Sequence, residues 1–322
     1  MDEDILLQVE NLKIHFPGRQ GTVKAVDNIS FTIKKGETFG LVGESGCGKT
    51  TAGKGIVGIH RPTAGHVLYK GLDLASATKK ERSRFSRELQ MIFQDPYSSL
   101  DPRQKVKSIL REAIICDGKH HSVEEVHKRV LELLRLVGLH EDMAMRFPHE
   151  LSGGQRQRLG IARAIACGPE LIVCDEPISA LDVSIQAQII NLFMDLQEEL
   201  GIAYIFIAHD LAVVRHIAKR IGIMYLGHLV EIISNDDLYR NSQHPYTQAL
   251  ISAVPTTDYY EEISRNRIIL EGEVPSPICV PTGCPFHPRC PYATDECRIH
   301  YPTLEEIAPG HYVACFHREK RP

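Results

Sequence analysis

The sequence predicts an α/β protein built on a parallel sheet covered by helices on both faces, and three observations carry that expectation. Short apolar runs at residues 171–174, 203–208 and 221–226 alternate with helical patterns at 185–200 and 211–219, the rhythm of strands buried on both faces. A glycine-rich loop, Gly43-Glu44-Ser45-Gly46-Cys47-Gly48-Lys49-Thr50, stands between the apolar run 38–42 and a segment of helical spacing, 49–59. Between these regions, from Gln94 to Gly160, the texture is mostly helical.

Taken in order, residues 5–9, 13–16, 23–33 around Asp27 and Asn28, and 38–42 read as strands and turns. In the helical stretch, 122–137 places Val123, Val126, Val130, Leu133, Leu134 and Val137 on one face. After Pro255 the pattern gives way to Pro, Cys, His and charged residues. A boundary is therefore expected there, dividing 1–255, with its helical layer at about 95–160, from 256–322. A chain of 322 residues can bury a sizeable core in such an arrangement. With 43% hydrophobic and 24% charged residues the composition is that of an ordinary globular protein.

A net charge of -4 and a pI near 6.5 weigh against nucleic acid as a partner, since phosphate-backbone binding calls for a basic face. The acidic N-terminus lacks a basic and apolar secretion signal, which predicts a cytoplasmic location. The most apolar stretch, 202–208, is far shorter than the roughly 20 residues of a spanning helix, so no membrane crossing is expected.

The glycine-rich loop matches the phosphate-binding pattern in the strand-to-helix context that gives the pattern meaning. Its glycines let backbone N–H groups turn inward around phosphates, and the helix N-terminus adds partial positive charge. Lys49 is expected to bridge the β- and γ-phosphates of ATP, Thr50 to offer its hydroxyl to Mg²⁺, and Thr51 to reach the α-phosphate side. Asp175, ending an apolar run, would hold Mg²⁺ largely through water. Glu176 follows it, suitably placed to act as general base toward the attacking water.

Leu151-Ser152-Gly153-Gly154-Gln155 precedes a helix and stands about twenty residues ahead of the Asp175-Glu176 pair. With that run the chain resembles the ABC ATPases, whose signature is LSGGQ. The resemblance implies a P-loop nucleotide-binding domain with an antiparallel β subdomain, an inserted helical subdomain and here a cysteine-rich C-terminal extension. It also implies a dimer in which Ser152, Gly153, Gly154 and Gln155 cap the nucleotide of the opposite subunit. By the same resemblance Gln94 is the Q-loop residue that senses Mg²⁺ and water, and Asp182 belongs to a D-loop, 179–182. His209 contacts the γ-phosphate, and Phe16 stacks on adenine.

The wording of 41–49, of Gln94-Asp95-Pro96-Tyr97-Ser98-Ser99-Leu100-Asp101-Pro102-Arg103 and of His244-Pro245-Tyr246-Thr247-Gln248-Ala249-Leu250 is similar to oligopeptide/dipeptide importer ATP-binding subunits, more to the F-type than the D-type. That implies a second, non-identical D-type ATPase, two membrane permeases, an extracytoplasmic solute-binding protein, and a place at the cytoplasmic face of the membrane. Nickel or an oligosaccharide stays open as cargo beside peptides, as does a non-transport ABC role.

Cys284, Cys290, Cys297 and Cys315 are separated by five, six and seventeen residues, looser than the close pairs of structural zinc sites. Peptide-importer ATPases resemble this tail in carrying such a set, which implies a 4Fe-4S cluster; zinc, free thiols or a disulfide stay open.

Overall fold

The computed structural model describes residues 4–19, 21–95, 99–116, 121–255 and 267–318. Pro96, Tyr97 and Ser98 of the 94–103 block, and the first eleven positions of the expected 256–322 segment, lie outside them. The chain divides into two compact units. One comprises the segment ending at Leu6, Ile33–Glu37 and Ser76–Phe206; the other comprises Leu7–Thr32, Thr38–Ala75 and the segment from Ile207 onward.

The second unit opens with β1 (Ile5–Gly18), β2 (Gly21–Lys34), β3 (Thr38–Val42), α1 (Lys49–Ile56), β4 (Ala64–Tyr69) and β5 (Leu72–Asp73). Four of these strands form a sheet in the order β2-β1-β4-β5, with β1 and β4 antiparallel and Leu7 opposite Tyr69. Residues 5–9 and 13–16, expected as two strands, run as one. Pairing shifts between Glu10 and Lys13, where Asn11 adopts a positive φ of 46°, so a bulge absorbs the break. Asn28, at φ 67°, lets β2 continue through the turn signal in the same way.

The first unit carries α2 (Lys79–Glu88), β6 (Leu89–Ile92), α3 (Val106–Ile115), α4 (Val123–Leu136), α5 (Gly153–Ala166), β7 (Leu171–Asp175), α6 (Val183–Leu200) and β8 (Ala203–Ala208). Its strands lie in the order β8-β7-β6, and β6 runs parallel to β7 with Leu89 opposite Leu171. Every residue of β7 and β8 is buried, which is why both read as unbroken apolar runs. At the start of α4 the Ser122 hydroxyl accepts the Glu125 N–H, and the Glu125 carboxylate accepts the Ser122 N–H at 2.7 Å. Val126, Val130, Leu133, Leu134 and Val137 are buried as their spacing predicts, whereas Val123 is 83% exposed. Its place in the first turn lies beyond the packed part of that face.

The second unit resumes with α7 (Leu211–Ile217), β9 (Arg220–Tyr225), β10 (His228–Ser234), α8 (Leu238–Asn241), α9 (Pro245–Ala253), α10 (Asp295–Ile299), β11 (Glu305–Ala308) and β12 (His311–Val313). Its second group of strands runs β11-β12-β10-β9-β3, with β3 and β9 parallel and β9, β10 and β12 antiparallel. Regular strands near the C-terminus were not expected; three or four residues are too few to display a period. The pairing of Glu231 with Val313 and Ile232 with Tyr312 nonetheless extends the sheet. Glu231, fully buried, accepts the N–H groups of Gln243 at 2.7 Å and His244 at 3.0 Å, and its Oε1 lies 2.8 Å from His311 Nε2. A buried carboxylate is tolerable only when its lone pairs are met in this way. Among the described residues no helix is long and apolar enough to cross a membrane.

In the first unit Phe193 is fully buried, edge-on to Tyr204 at 5.4 Å and Phe206 at 5.7 Å. Phe193→Ala should cost about 3–5 kcal/mol in urea unfolding, and a loss under about 1 kcal/mol would contradict this packing.

Candidate active site

The loop between β3 and α1 is shaped by what surrounds it. Gly48 caps α1 at φ 106°, and a Cβ there would stand 2.0 Å from the Ala25 carbonyl oxygen. At Gly43 a Cβ would stand 2.1 Å from the Met224 carbonyl oxygen. Only glycine permits both the conformation and the approach. Lys49 is buried, and its Nζ donates to the Gly43 oxygen at 2.7 Å and the Glu44 oxygen at 3.0 Å. Thr50 and Thr51 lie half-buried in the first turn of α1, with Ser45 and Gly46 exposed ahead of them. Burial pushes the Cys47 thiol up, so it remains protonated beside Lys49. A helix N-terminus with its partial positive charge, beside an ammonium, suits a polyphosphate. The Thr50 hydroxyl is a hard oxygen of the kind that Mg²⁺ prefers.

The loop is braced from behind within the same unit. Leu226 and Gly227, with φ 44° and 80°, make a two-residue hairpin turn between β9 and β10. The Gly227 N–H donates to the Cys47 oxygen at 2.8 Å, and the Asp27 N–H to the Gly227 oxygen at 2.8 Å. Beside this turn Asp27 Oδ1 lies 3.4 Å from Lys13 Nζ and 3.3 Å from His15 Nε2, and Oδ2 lies 3.6 Å from Lys24 Nζ. His228 Nδ1 lies 3.0 Å from the Tyr301 hydroxyl. Glu44 is held twice more. Its N–H donates to the Tyr246 hydroxyl at 2.8 Å, and its carboxylate takes both arms of the Arg289 guanidinium at 2.8 and 3.2 Å. Sequence reasoning missed Arg289 and this role of Tyr246, because 245 and 202 positions separate them from Glu44.

The first unit holds the carboxylates. Asp175 is the buried last residue of β7, and Glu176 follows at φ 45°, a conformation costly for a residue with a side chain. Gln94 Nε2 donates to Glu176 Oε2 at 2.7 Å, and the Ser179 hydroxyl to the Glu176 carbonyl at 3.0 Å. Ser152 caps α5, accepting the Gln155 N–H at 3.3 Å while the Gln155 side chain accepts the Ser152 N–H at 2.9 Å. Gly153 and Gly154 form the first turn; a Cβ on Gly154 would meet the Ile185 side chain at 2.8 Å. Asp182 stands at the N-cap of α6. In the other unit, His209 is exposed just past β8, and Phe16 is partly exposed on β1, edge-on to His60 at 5.3 Å.

A strand, a glycine loop and a helix carrying a buried lysine, with a strand-end Asp-Glu pair elsewhere in the chain, define a phosphate-loop nucleotide-hydrolysing protein. The model of the ABC transporter family matches residues 26–179, and that of the oligopeptide/dipeptide transporter C-terminal region matches 230–297. The protein YkfD of Bacillus subtilis is 54% identical over 96% of this chain and 94% of its own length. The oligopeptide transport ATP-binding protein AppF of the same organism is 50% identical over 98% of each. Among solved structures, the dimeric ATP-binding cassette MJ0796 in a post-hydrolysis state with ADP and Pi is similar at a TM-score of 0.66 and 30% identity, covering 71% of this chain and 99% of that one. The chain belongs to the ABC transporter family, among its oligopeptide/dipeptide transport ATP-binding members, and is an ATPase of that family.

The expected iron-sulfur centre is overturned. Cys284, Cys290, Cys297 and Cys315 do line one cavity, with Phe286 and Phe316. Yet among the described residues no group of three or more His, Cys, Asp or Glu is arranged to hold a metal ion. The cavity's free volume of about 10 Å³ is room for one water, far short of a four-iron cube.

The His228 cluster makes a pH prediction. Burial lowers the His228 pKa from 6.5 to about 4. Burial alone would raise the Asp27 carboxyl, but His228, Lys13, Lys24 and His15 outweigh it and hold the pKa below its usual value. For both groups the unfolded chain binds more protons than the folded one on the acid side: the His228 contribution is present above about pH 6.5 and falls toward pH 4, and the Asp27 contribution is lost below its ordinary value of 3.8. Thermal melting should show this decline, and His228→Gln should flatten it; an unchanged slope would contradict the assignment.

Proposed function

We propose that this chain is an ATP-hydrolysing subunit that powers import of oligopeptides or dipeptides. The observation that carries the hydrolytic reading is the 2.7 Å hydrogen bond from Gln94 to Glu176, which orients a carboxylate at the end of a buried strand. The peptide reading is supported by the match to the oligopeptide/dipeptide transporter C-terminal region and by the names of relatives such as AppF.

In this reading the N–H groups of 43–51 hold the phosphates, and Lys49 turns its ammonium from the loop carbonyls to the β- and γ-phosphates. Thr50 and Asp175 are ligands for Mg²⁺, with Gln94 as a further one. When bound, the metal supplies neutralisation of phosphate charge. Glu176 takes the proton of the attacking water, oriented by Gln94, and His209 contacts the γ-phosphate. Phe16 stacks on adenine. Ser152, the N–H groups of Gly153 and Gly154, and Gln155, with Asp182, act on the nucleotide of a second subunit.

The working assembly comprises this chain, a non-identical D-type ATPase, two permeases and an extracytoplasmic solute-binding protein, at the cytoplasmic face of the membrane. The helical layer at about 95–160 docks to the permeases, and 256–322 is the C-terminal extension of an ATPase domain at 1–255.

Glu176→Gln should lower ATP hydrolysis by about 10²-fold or more while leaving ATP binding intact; a variant that hydrolyses at the full rate sinks the assignment of the base. For the cargo, the transporter purified with its permeases and binding protein and placed in vesicles should hydrolyse ATP faster on adding short peptides. Stimulation by nickel or an oligosaccharide instead would overturn the peptide reading.

A further inference from the structure

Glu44 is the first variable position of the phosphate loop, and each of its polar groups is anchored. The N–H donates to Tyr246, the carbonyl accepts from Lys49, and the carboxylate meets Arg289 in a two-armed fork. The Arg289 side chain is 8% exposed and that of Glu44 28%. Arg289 also lies over the Tyr225 ring at 6.0 Å, and Tyr225 packs edge-on to Phe286 at 5.2 Å. The turn that presents Arg289 is closed by its own N–H donating to the Phe286 carbonyl at 3.0 Å. The Arg289 side chain also has the Tyr225 hydroxyl as a hydrogen-bonding neighbour.

Two physical consequences follow for the loop. A bidentate pair fixes direction as well as distance, so the backbone at Glu44 is held before any ligand arrives, and binding need not pay for ordering it. Charge matters as much. A carboxylate inside a loop that takes a polyphosphate would repel it, and the paired guanidinium cancels that field where solvent screening is weak.

We propose that Arg289 is a positioning residue for nucleotide binding: through Glu44 it locks and neutralises the phosphate loop, so that the C-terminal segment sets the affinity for ATP. This rests on the reading that the loop binds ATP. Arg289 touches no nucleotide itself in this proposal; it acts through Glu44, and Tyr246 supports the same residue from the backbone side.

The test is a double-mutant cycle on the full-length chain, read by equilibrium binding of a non-hydrolysable MgATP analogue, with the melting temperature of each protein taken alone. Arg289→Met should weaken binding about tenfold or more, because it leaves the Glu44 charge uncompensated. Glu44→Gln should weaken it by no more than about threefold, and adding Glu44→Gln to Arg289→Met should recover most of the loss. A merely structural arginine would show no such rescue. In the assembled ATPase the KM for ATP should rise by the same factor with kcat at saturating ATP nearly unchanged.

Wild-type affinity in Arg289→Met, or a double variant no better than Arg289→Met, overturns the proposal. If Arg289→Met does not fold, Arg289→Lys takes its place: it keeps the charge without the fork, so intermediate affinity supports the proposal and wild-type affinity overturns it. Failure of the unaltered chain to bind the analogue would instead overturn the ATP reading, so the two failures are distinct.

Discussion

A loop that binds polyphosphate must hold several backbone N–H groups pointing the same way with no side chain between them, and such a loop cannot hold itself. Several contacts in the second unit bear on this constraint. Gly48 and Gly43 lie so close to the carbonyls of Ala25 and Met224 that a side chain at either would force the backbone away. The hairpin turn at Leu226 and Gly227 ties the loop at Cys47, and Tyr246 and Arg289 tie it at Glu44. The loop is thereby held from outside at Cys47 and at Glu44.

The other unit meets a different demand, the precise aim of one carboxylate. Glu176 sits directly after a fully buried strand, in a backbone conformation that its side chain disfavours, and Gln94 fixes one of its oxygens. Strain of this kind persists only where neighbouring structure imposes it. The signature segment is held in the same spirit: Ser152 and Gln155 satisfy each other, so the chain enters α5 at a fixed angle with its glycine N–H groups uncovered.

The cysteine set shows how spacing and space differ. Its four members line one cavity, but that cavity is small and apolar, and among the described residues no group of three or more ligand-type side chains is arranged to hold a metal ion. A shared wall is not a coordination sphere. The same segment matters through a residue that motif reading passed over, Arg289, whose neighbour in sequence is one of those cysteines.

The sequence by itself determined the class of fold, the phosphate loop, the strand-end carboxylates and the signature run ahead of a helix, because each depends on residues close together in the chain. Glycine positions and apolar runs act over a few residues, so their patterns are legible directly. Only the tertiary structure decided that Asn11 and Asn28 keep long strands continuous, that short strands near the C-terminus extend a sheet, and that Arg289 and Tyr246 reach Glu44. Those outcomes rest on partners brought together by packing from separate stretches of the chain, and no local period or motif encodes such a pairing.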